Sequence, residues 1–535
     1  MIDSSLDPDS TRSPDLAIGA FTDRGPWVVD PDQITWLGGI ERLRDRTRAT
    51  VPVLLEGDRL PPVERLVAAV ASVGSAIGMW WAVDRRQGRE ASRRGISQRL
   101  RRSFEYLGAS YVKLGQIISS GDGLFPEELV NEFRLLRDQV APEPFSAVRA
   151  TVEDDLHAPL SAVFAEFSEE PIAAASIAQV HAARLITGEE VVVKVQRSGI
   201  AGRVCADIAA LSWLAPRLIG RIPVTALANP PALVEVFAET IIEELDFRLE
   251  AANMLDIARM LAETDQRNMV VPRPHPELVT RRVMVMERLY GYDFDDVESM
   301  HAAGIDTQQL LTSGLIAFLE GALLHGVFHG DLHGGNLMVQ ADGRTALLDF
   351  GITGRLSNFR RLAFMRLLVM GTAGDVKAQL AALRDLGAFP PDTDLDAVVA
   401  DLELDGPVKD PTRMSADELV GELRELTKKL LDYGARAPKE LMLFVKNLIF
   451  LESATASLAP DLDILAEVTK VYVYFVQRHG PRIAAELGLD PNNPVELDLD
   501  AVKASFGVSP DVERLTFRDM QARRDLIRRR MSRRK

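Results

Sequence analysis

The alternation of apolar and polar positions divides the chain into regions of different period. Residues 1–60 are rich in Pro, Asp and Gly and carry only short apolar runs, which predicts a mostly irregular segment. Leu66 to Val83, LVAAVASVGSAIGMWWAV, is eighteen residues without a charge. From Gln98 to Ser119, the residues Leu100, Phe104, Leu107, Tyr111, Leu114 and Ile118 recur at steps of four and three, the stripe of an amphipathic helix. A further helix is expected after Pro142, running through Val148 to Leu156. Val180–Leu185 and Glu190–Gln196 (EVVVKVQ) flank a Thr187-Gly188 turn and predict a β-hairpin of branched residues. Met269–Val271 and Arg282–Met286 predict a second pair of strands, after a helical region that includes Leu233 to Leu261. Beyond Gly291 helical periodicity dominates, broken by short strands at Leu337–Gln340 and Thr345–Leu348.

These elements predict an α/β (α+β) chain: a small β-rich lobe preceded by extra helices and followed by a larger helical lobe. The expected divisions are an irregular segment at 1–60, an apolar helix with an arginine-rich linker at 61–97, and a helical extension at 98–165. The β-rich lobe would occupy 166–290, the helical lobe 291–480, and a C-terminal extension with a basic tail 481–535. No internal repeat is evident.

Composition narrows the classes. With 47% hydrophobic and 26% charged residues, the chain has ordinary globular usage. A single cysteine, Cys205, excludes a disulfide framework and a multi-cysteine metal site, and suits a reducing compartment. A formal charge of −16 argues against a nucleic-acid binder. Positive charge is local: eight arginines lie between Arg85 and Arg102, and eight Lys/Arg against one Asp between Arg523 and Lys535. The opening MIDSSLDPDSTRSPD is acidic where a signal peptide would be basic and then apolar. Leu66–Val83 has the length of a short membrane span, with Trp80 and Trp81 where an interfacial belt would lie. Its Ala, Gly and Ser content weakens insertion, so a buried helix and a helix lying on a membrane surface fit it as well. If it spans, the arginines after Val83 belong on the cytoplasmic side.

The chemistry is concentrated in FHGDLHGGNLMV (Phe328–Val339) and LLDFG (Leu347–Gly351). Phosphoryl transfer from ATP needs metal ions on the phosphates, oxygen ligands to hold them, and a carboxylate that orients or deprotonates the acceptor. Asp331 is followed five positions on by Asn336 and thirteen further on by Asp349 of a D-F-G triplet. That is the order of a kinase's catalytic aspartate, asparagine ligand and metal-binding aspartate. A hairpin turning at Ala341-Asp342-Gly343 would bring the chain back toward Asn336, and Gly334-Gly335 would let the loop bend tightly. Lys194, central in VVVKVQ, is the candidate phosphate lysine. Such a lysine wants an acidic partner. Glu239, Glu243, Asp246 and Glu250 fall at steps of four, three and four, which would line one helical face with carboxylates, with Glu244 a step to the side. Lys113 and Gln116 of KLGQ sit three apart on the face opposite the apolar stripe, with Gly115 removing bulk beside them. Where a protein kinase carries a glycine-rich loop, this chain has PIAAASIAQVH (Pro171–His181), so that Ala173, Ala174, Ala175 and Ser176 take the place of glycines.

Taken in order, KLGQ, AAASIAQVH, VVVKVQRSG, EELDFRLEAAN, HGDLHGGN and DFGITG resemble the UbiB, or ADCK/AarF-related, atypical kinases from about Leu100 to Gly354. The family commonly has Pro where Gly334 stands here. The resemblance implies a bilobal protein-kinase-like fold that binds ATP with Mg²⁺, with Asp331 and Lys194 catalytic and Asn336 and Asp349 on the metal. It implies that Lys194 pairs with Glu250 and that Lys113, beside Gln116, is tied to Glu244 and Asp246. It implies further that Ala173–Ser176 cover the nucleotide, and that Met286 and Glu287 hold adenine through their backbone. The family is associated with ubiquinone or other isoprenoid-lipid metabolism, with ATPase activity better supported than protein phosphorylation. An isoprenoid lipid or a membrane surface is the expected partner. A small-molecule phosphotransferase of the aminoglycoside or choline kinase type, and a nucleotide-gated lipid-binding scaffold without turnover, are the alternatives.

Overall fold

The computed structural model describes residues 13–56, 62–119, 126–136, 141–218, 230–404, 425–426, 429–430, 432–435, 438–490 and 496–532. The chain forms two compact units. One comprises Met1–Arg259, Val271–Tyr290 and Leu348–Ile352; the other comprises Met260–Val270, Gly291–Leu347 and Thr353–Lys535.

The first unit is built on an antiparallel sheet of order β1-β2-β3-β6-β5. Its strands are β1 (Phe164–Ala174), β2 (Ala178–Leu185), β3 (Glu190–Gln196), β5 (Pro274–Val279) and β6 (Val283–Glu287). The hairpin expected at Thr187-Gly188 is present, with His181 opposite Val193 and Val180 opposite Lys194. Because strand side chains alternate between faces, Val191, Val193 and Val195 enter a core with Val283, Val285, Val148 and Val152, while Lys194 projects from the other face. β1 escapes periodicity because it is an edge strand: Glu166, Glu169, Glu170 and Pro171 interrupt it, and its pairing with β2 shifts register three times.

Four expectations about the helices need correction. The 1–60 segment carries a helix, Ile40–Leu55, disguised in the sequence by Pro52 and the β-branched Thr47, Thr50, Val51 and Val53; Arg44 pairs there with Glu41 and reaches Asn253. The arginine-rich linker is helical from Arg89, and Arg99 closes on Asp84 at 2.7 Å. The stripe from Leu100 to Ile118 is buried along most of its length but lies on two helices, Arg89–Leu107 and Ala109–Ser119. They part at Gly108, whose φ of +96° an L side chain rarely adopts. The region from Leu233 to Leu261 is also two helices, Pro230–Glu243 and Phe247–Glu263. Asp246 begins the second by accepting the Arg248 amide at 3.2 Å, so no continuous acidic face exists.

In the second unit β4 (Met269–Val270) pairs in parallel with β10 (Thr345–Leu347), not with the Arg282–Met286 strand as expected. β10 returns antiparallel along β9 (Leu337–Val339), which pairs with β7 (Tyr292–Asp293). The expected hairpin is therefore present, turning where Gly343 takes φ +84°. A two-stranded ribbon of β8 (Val327–His329) and β11 (Thr353–Arg355) rests on the helix Lys439–Leu458 through Phe328 and Phe444; Phe444 also stacks 4.9 Å from Phe318 and meets Phe364 at 4.5 Å.

The helix Val63–Met79 buries Ala69, Val73 and Ala76 and leaves Val63, Val67, Val70 and Met79 exposed; Trp81 and Val83 are exposed just beyond it. Arg65 fastens it to Asp207 at 2.6 Å. By length and composition, Val63–Asp84 and Lys439–Leu458 are each apolar enough to cross a membrane.

The Asp15–Arg273 pair anchors the N-terminal segment. Both side chains are fully buried, with Nε–Oδ2 at 2.8 Å and Nη2–Oδ1 at 3.2 Å, and the Val29 amide also donates to Asp15 at 3.0 Å. Burial would raise the Asp15 carboxyl, but the Arg273 guanidinium and the Val29 amide outweigh it and hold the group below its ordinary value. A depressed carboxylate contributes stability above its unfolded value and loses it as pH falls through the folded one. Asp15→Ala is therefore expected to cost about 3–5 kcal/mol at neutral pH, since it takes from the buried guanidinium its bidentate carboxylate and leaves it Glu287 and Thr22. Thermal melts should show the deficit shrinking below about pH 4; a deficit unchanged down to the acid transition would contradict this origin.

Candidate active site

The first unit gathers a lysine and three carboxylates. Lys194 Nζ lies 2.6 Å from Glu250 Oε1 and 3.3 Å from Asp349 Oδ2, and sits 5.5 Å from the Phe247 ring centroid. Lys194 and Glu250 are buried, while the Asp349 side chain is 44% exposed. β3 is a central strand, so Lys194 is enclosed rather than solvent-facing, which is why its charge needs partners. Burial disfavours the ammonium, but the Asp349 and Glu250 carboxylates outweigh that penalty and hold Lys194 above the ordinary lysine value. The D-F-G segment is fastened to the same helix: Phe350 N–H points to Glu250 at 3.4 Å, and Asn253 donates to the Phe350 carbonyl at 3.0 Å. Gly351 N–H donates to Asp349 Oδ1 at 2.9 Å, setting the carboxylate's rotation.

Glu244, freed from the helix by the break, takes Lys113 at 3.2 Å. Its Cγ lies 3.3 Å from where a Cβ on Gly351 would stand, so Glu244 packs between the KLGQ helix and the D-F-G segment. Gly115 faces Leu136, Phe104 and Phe133, so what approaches it is the unit's own core. Gln116 is half-buried one turn beyond Lys113. Asp246 is engaged bidentately by Arg248, at 2.9 and 2.7 Å, and Glu243 by Arg48 at 3.3 Å.

Ala173 and Ala174 end β1, and Ala175 closes the turn by donating to the Ala178 carbonyl at 2.8 Å. Ser176 is buried. The turn is braced by Arg197, which donates to the Ala175 carbonyl at 3.0 Å and to the Ala141 carbonyl at 2.9 Å, a role that RSG gave no sign of. Met286 and Glu287 end β6 opposite Val192 and Val191. The Glu287 amide is spent on the Arg273 carbonyl at 2.9 Å, and its carboxylate faces Thr22 and Arg273; burial lifts that carboxyl above the ordinary range despite both partners.

The second unit holds the candidate catalytic loop. Asn336 donates from Nδ2 to the Asp331 carbonyl at 2.9 Å, and the Asp331 amide donates to His329 Nδ1 at 3.1 Å. Neither Gly334 nor Gly335 has a positive φ, so tight bending is not their purpose. A Cβ on Gly334 would stand 2.7 Å from Asp295 Oδ2, so the family's proline would require the Asp295 side chain to shift. Two residues that the sequence reading missed complete the loop. Asn447 accepts the Leu332 amide at 2.9 Å and donates to the His329 carbonyl, and Lys446 is bonded to Asp331 Oδ1. The only signal in the sequence is that Lys446-Asn447 interrupts the apolar run of Leu441 to Phe450.

Asp349 in the first unit and Asn336 in the second each carry an oxygen donor of the kind a hard cation such as Mg²⁺ takes. With Asn336 Nδ2 committed to the loop carbonyl, its Oδ1 is the atom left to act as a ligand.

A buried strand lysine paired to a helix glutamate, a D-F-G aspartate beside them, and an H-x-D loop closed by an asparagine define a protein-kinase-like domain of mixed α and β structure with helix in the majority. Comparison with known proteins agrees. Residues 135–382 match the ABC1 atypical kinase-like domain. An uncharacterized protein of Mycobacterium tuberculosis is 35% identical over 441 residues, covering 77% of this chain and 84% of the relative. An uncharacterized aarF domain-containing protein kinase of Arabidopsis thaliana, chloroplastic, is 33% identical over 395 residues, covering 69% and 73%. A probable protein kinase UbiB of Marinobacter nauticus is 32% identical over 377 residues, covering 68% and 67%. The chain belongs to the ABC1, or UbiB/aarF, family of atypical kinase-like proteins.

Removing one partner of the buried pair should expose its energetics. Lys194→Met leaves Glu250 uncompensated and is expected to cost about 3–5 kcal/mol of stability, with Glu250→Gln recovering part of that loss in the double variant. Denaturation of the four proteins of the cycle measures it, and strictly additive losses would contradict the pairing.

Proposed function

We propose that this protein is a UbiB-type atypical kinase or ATPase that binds Mg-ATP and supports isoprenoid quinone or other lipid metabolism at a membrane surface. The observation that carries the reading is the buried Lys194 bonded to both Glu250 and the D-F-G aspartate. A Lys–Glu pair of this kind holds the ammonium ready for the phosphates of ATP. Asn336 and Asp349 would hold Mg²⁺, which when bound bridges phosphate oxygens and offsets their charge. Asp331 is the carboxylate that would orient or deprotonate the acceptor. The alanine-rich turn would cover the nucleotide with a stiffer backbone than glycines supply, and Met286 and Glu287 would line the adenine side. Lys113, beside Gln116, is tied through Glu244 to the D-F-G segment; by the family resemblance the KLGQ helix would obstruct a protein substrate, which would favour ATP turnover or a small acceptor over protein phosphorylation. The relatives named as probable protein kinase UbiB support the kinase part of the reading.

A lipid surface is the proposed partner because the exposed face of Val63–Met79, continued by Trp81 and Val83, is followed at once by exposed Arg85 and Arg86. Apolar and aromatic residues at acyl depth with arginines at headgroup depth describe an interfacial helix on an anionic membrane. The proposed location is therefore the cytoplasm, at the inner membrane face.

The test is Mg²⁺-dependent ATP binding and hydrolysis by the full chain, with and without anionic liposomes, beside Asp349→Asn. Binding that requires Mg²⁺, falls in the variant by a factor of about 10 or more, and is accompanied by turnover that liposomes raise is the expected result. Binding without turnover under any condition would favour a nucleotide-gated scaffold. Stimulation by a small alcohol or amine in place of liposomes would favour a small-molecule phosphotransferase. No nucleotide binding by the native protein would overturn the proposal.

A further inference from the structure

The helix Lys439–Leu458 lies more than a hundred residues beyond the catalytic loop, yet two consecutive side chains of it grip that loop at different points. Asn447 is fully buried and takes only backbone groups, the Leu332 amide and the His329 carbonyl, so it fixes the path of the chain on either side of Asp331. Lys446 instead takes the reactive group itself, Asp331 Oδ1. The Lys446 and Asp331 side chains are 21% and 16% exposed, so solvent screens their attraction less than it would at an open surface.

We propose that Lys446 is a positioning residue for Asp331; the role in turnover rests on the Mg-ATP reading above. In that reaction the acceptor oxygen, from water or an alcohol, forms a bond to the γ-phosphorus. The bond from that phosphorus to the β–γ bridging oxygen breaks, its electron pair leaves on ADP, and the acceptor's proton passes to the Asp331 carboxylate. Two difficulties stand in the way. A carboxylate free to rotate presents its accepting oxygen only part of the time, and its charge repels the incoming triphosphate. The ammonium on Oδ1 answers both: it fixes the plane of the carboxylate and offsets its charge where the phosphoryl group arrives. Because Asn447 independently holds the backbone, Lys446 can be altered without unmaking the loop.

The experiment compares the native chain with Lys446→Met and Lys446→Arg in ATP turnover and in equilibrium Mg-ATP binding. Lys446→Met is expected to lower kcat on the order of 100-fold while the Mg-ATP dissociation constant is unchanged. Lys446→Arg should recover most of that loss, because a guanidinium also donates to a carboxylate. A purely structural role would not give this split or this rescue. Unchanged or raised kcat in Lys446→Met, or a loss explained wholly by weaker ATP binding, would overturn the proposal. The pairing is read separately from turnover by melting temperatures of Lys446→Met, Asp331→Asn and the double variant. Non-additive shifts are expected, and additive shifts would overturn it even in a protein that hydrolyses no ATP. A native chain that neither binds nor hydrolyses ATP sinks the functional reading, so the two failures are distinguishable.

Discussion

An ammonium buried in the middle of a β-sheet is the constraint from which the first unit follows. Taking a charge out of water costs several kcal/mol even after relaxation, so Lys194 is tolerated only if carboxylates reach it. Glu250 does so from the first turn of the helix Phe247–Glu263, where the helix dipole also favours an acidic side chain. For Glu250 to stand in a first turn, the helical region must break before it, and Asp246 caps the new start. The break in turn releases Glu244 toward Lys113. The buried charge, the break, the cap and the second ion pair thus meet within residues 244–250. Asp349, half-exposed and within reach of the same ammonium, is the member that a metal ion could recruit.

The second unit solves a different problem, that of holding a short irregular loop in one shape. The loop's own bonds, Asn336 to the Asp331 carbonyl and the Asp331 amide to His329, account for part of it. Asn447 takes the Leu332 amide and the His329 carbonyl, groups that would otherwise lie buried without these partners, and an unmade buried hydrogen bond costs about 1–3 kcal/mol. Phe444, three residues earlier on the same helix, packs on Phe328 just upstream of the loop. The helix therefore supports the loop by apolar contact, by backbone bonds and by charge within a single turn.

Sequence reasoning reached the groups whose geometry is local. The β2–β3 hairpin, the β9–β10 hairpin and the Asp331, Asn336 and Asp349 spacing are all set by neighbours within about twenty residues, and periodicity and turn chemistry report such neighbours directly. Lys194 was legible as a candidate, but its burial was not, because a lysine in a run of valines reads the same on a central and an edge strand. The acidic face failed for a definite reason: stepping by three and four assumes one unbroken helix, and the cap at Asp246 ends it. Lys446, Asn447, Arg197 and the Asp15–Arg273 pair act across long stretches of chain, and no single-sequence period encodes such contacts. Gly334 was noticed as a departure from the family pattern, yet the Asp295 carboxylate beside it appears only in three dimensions.

The most direct test of the account is a crystal structure of the full chain with Mg²⁺ and a non-hydrolysable ATP analogue. The account predicts Asp349 and Asn336 oxygens on the metal, and Lys194 Nζ moved from Asp349 onto a phosphate oxygen while it keeps Glu250. Nucleotide bound elsewhere, or Lys194 still held by Asp349 with no phosphate near it, would contradict the account.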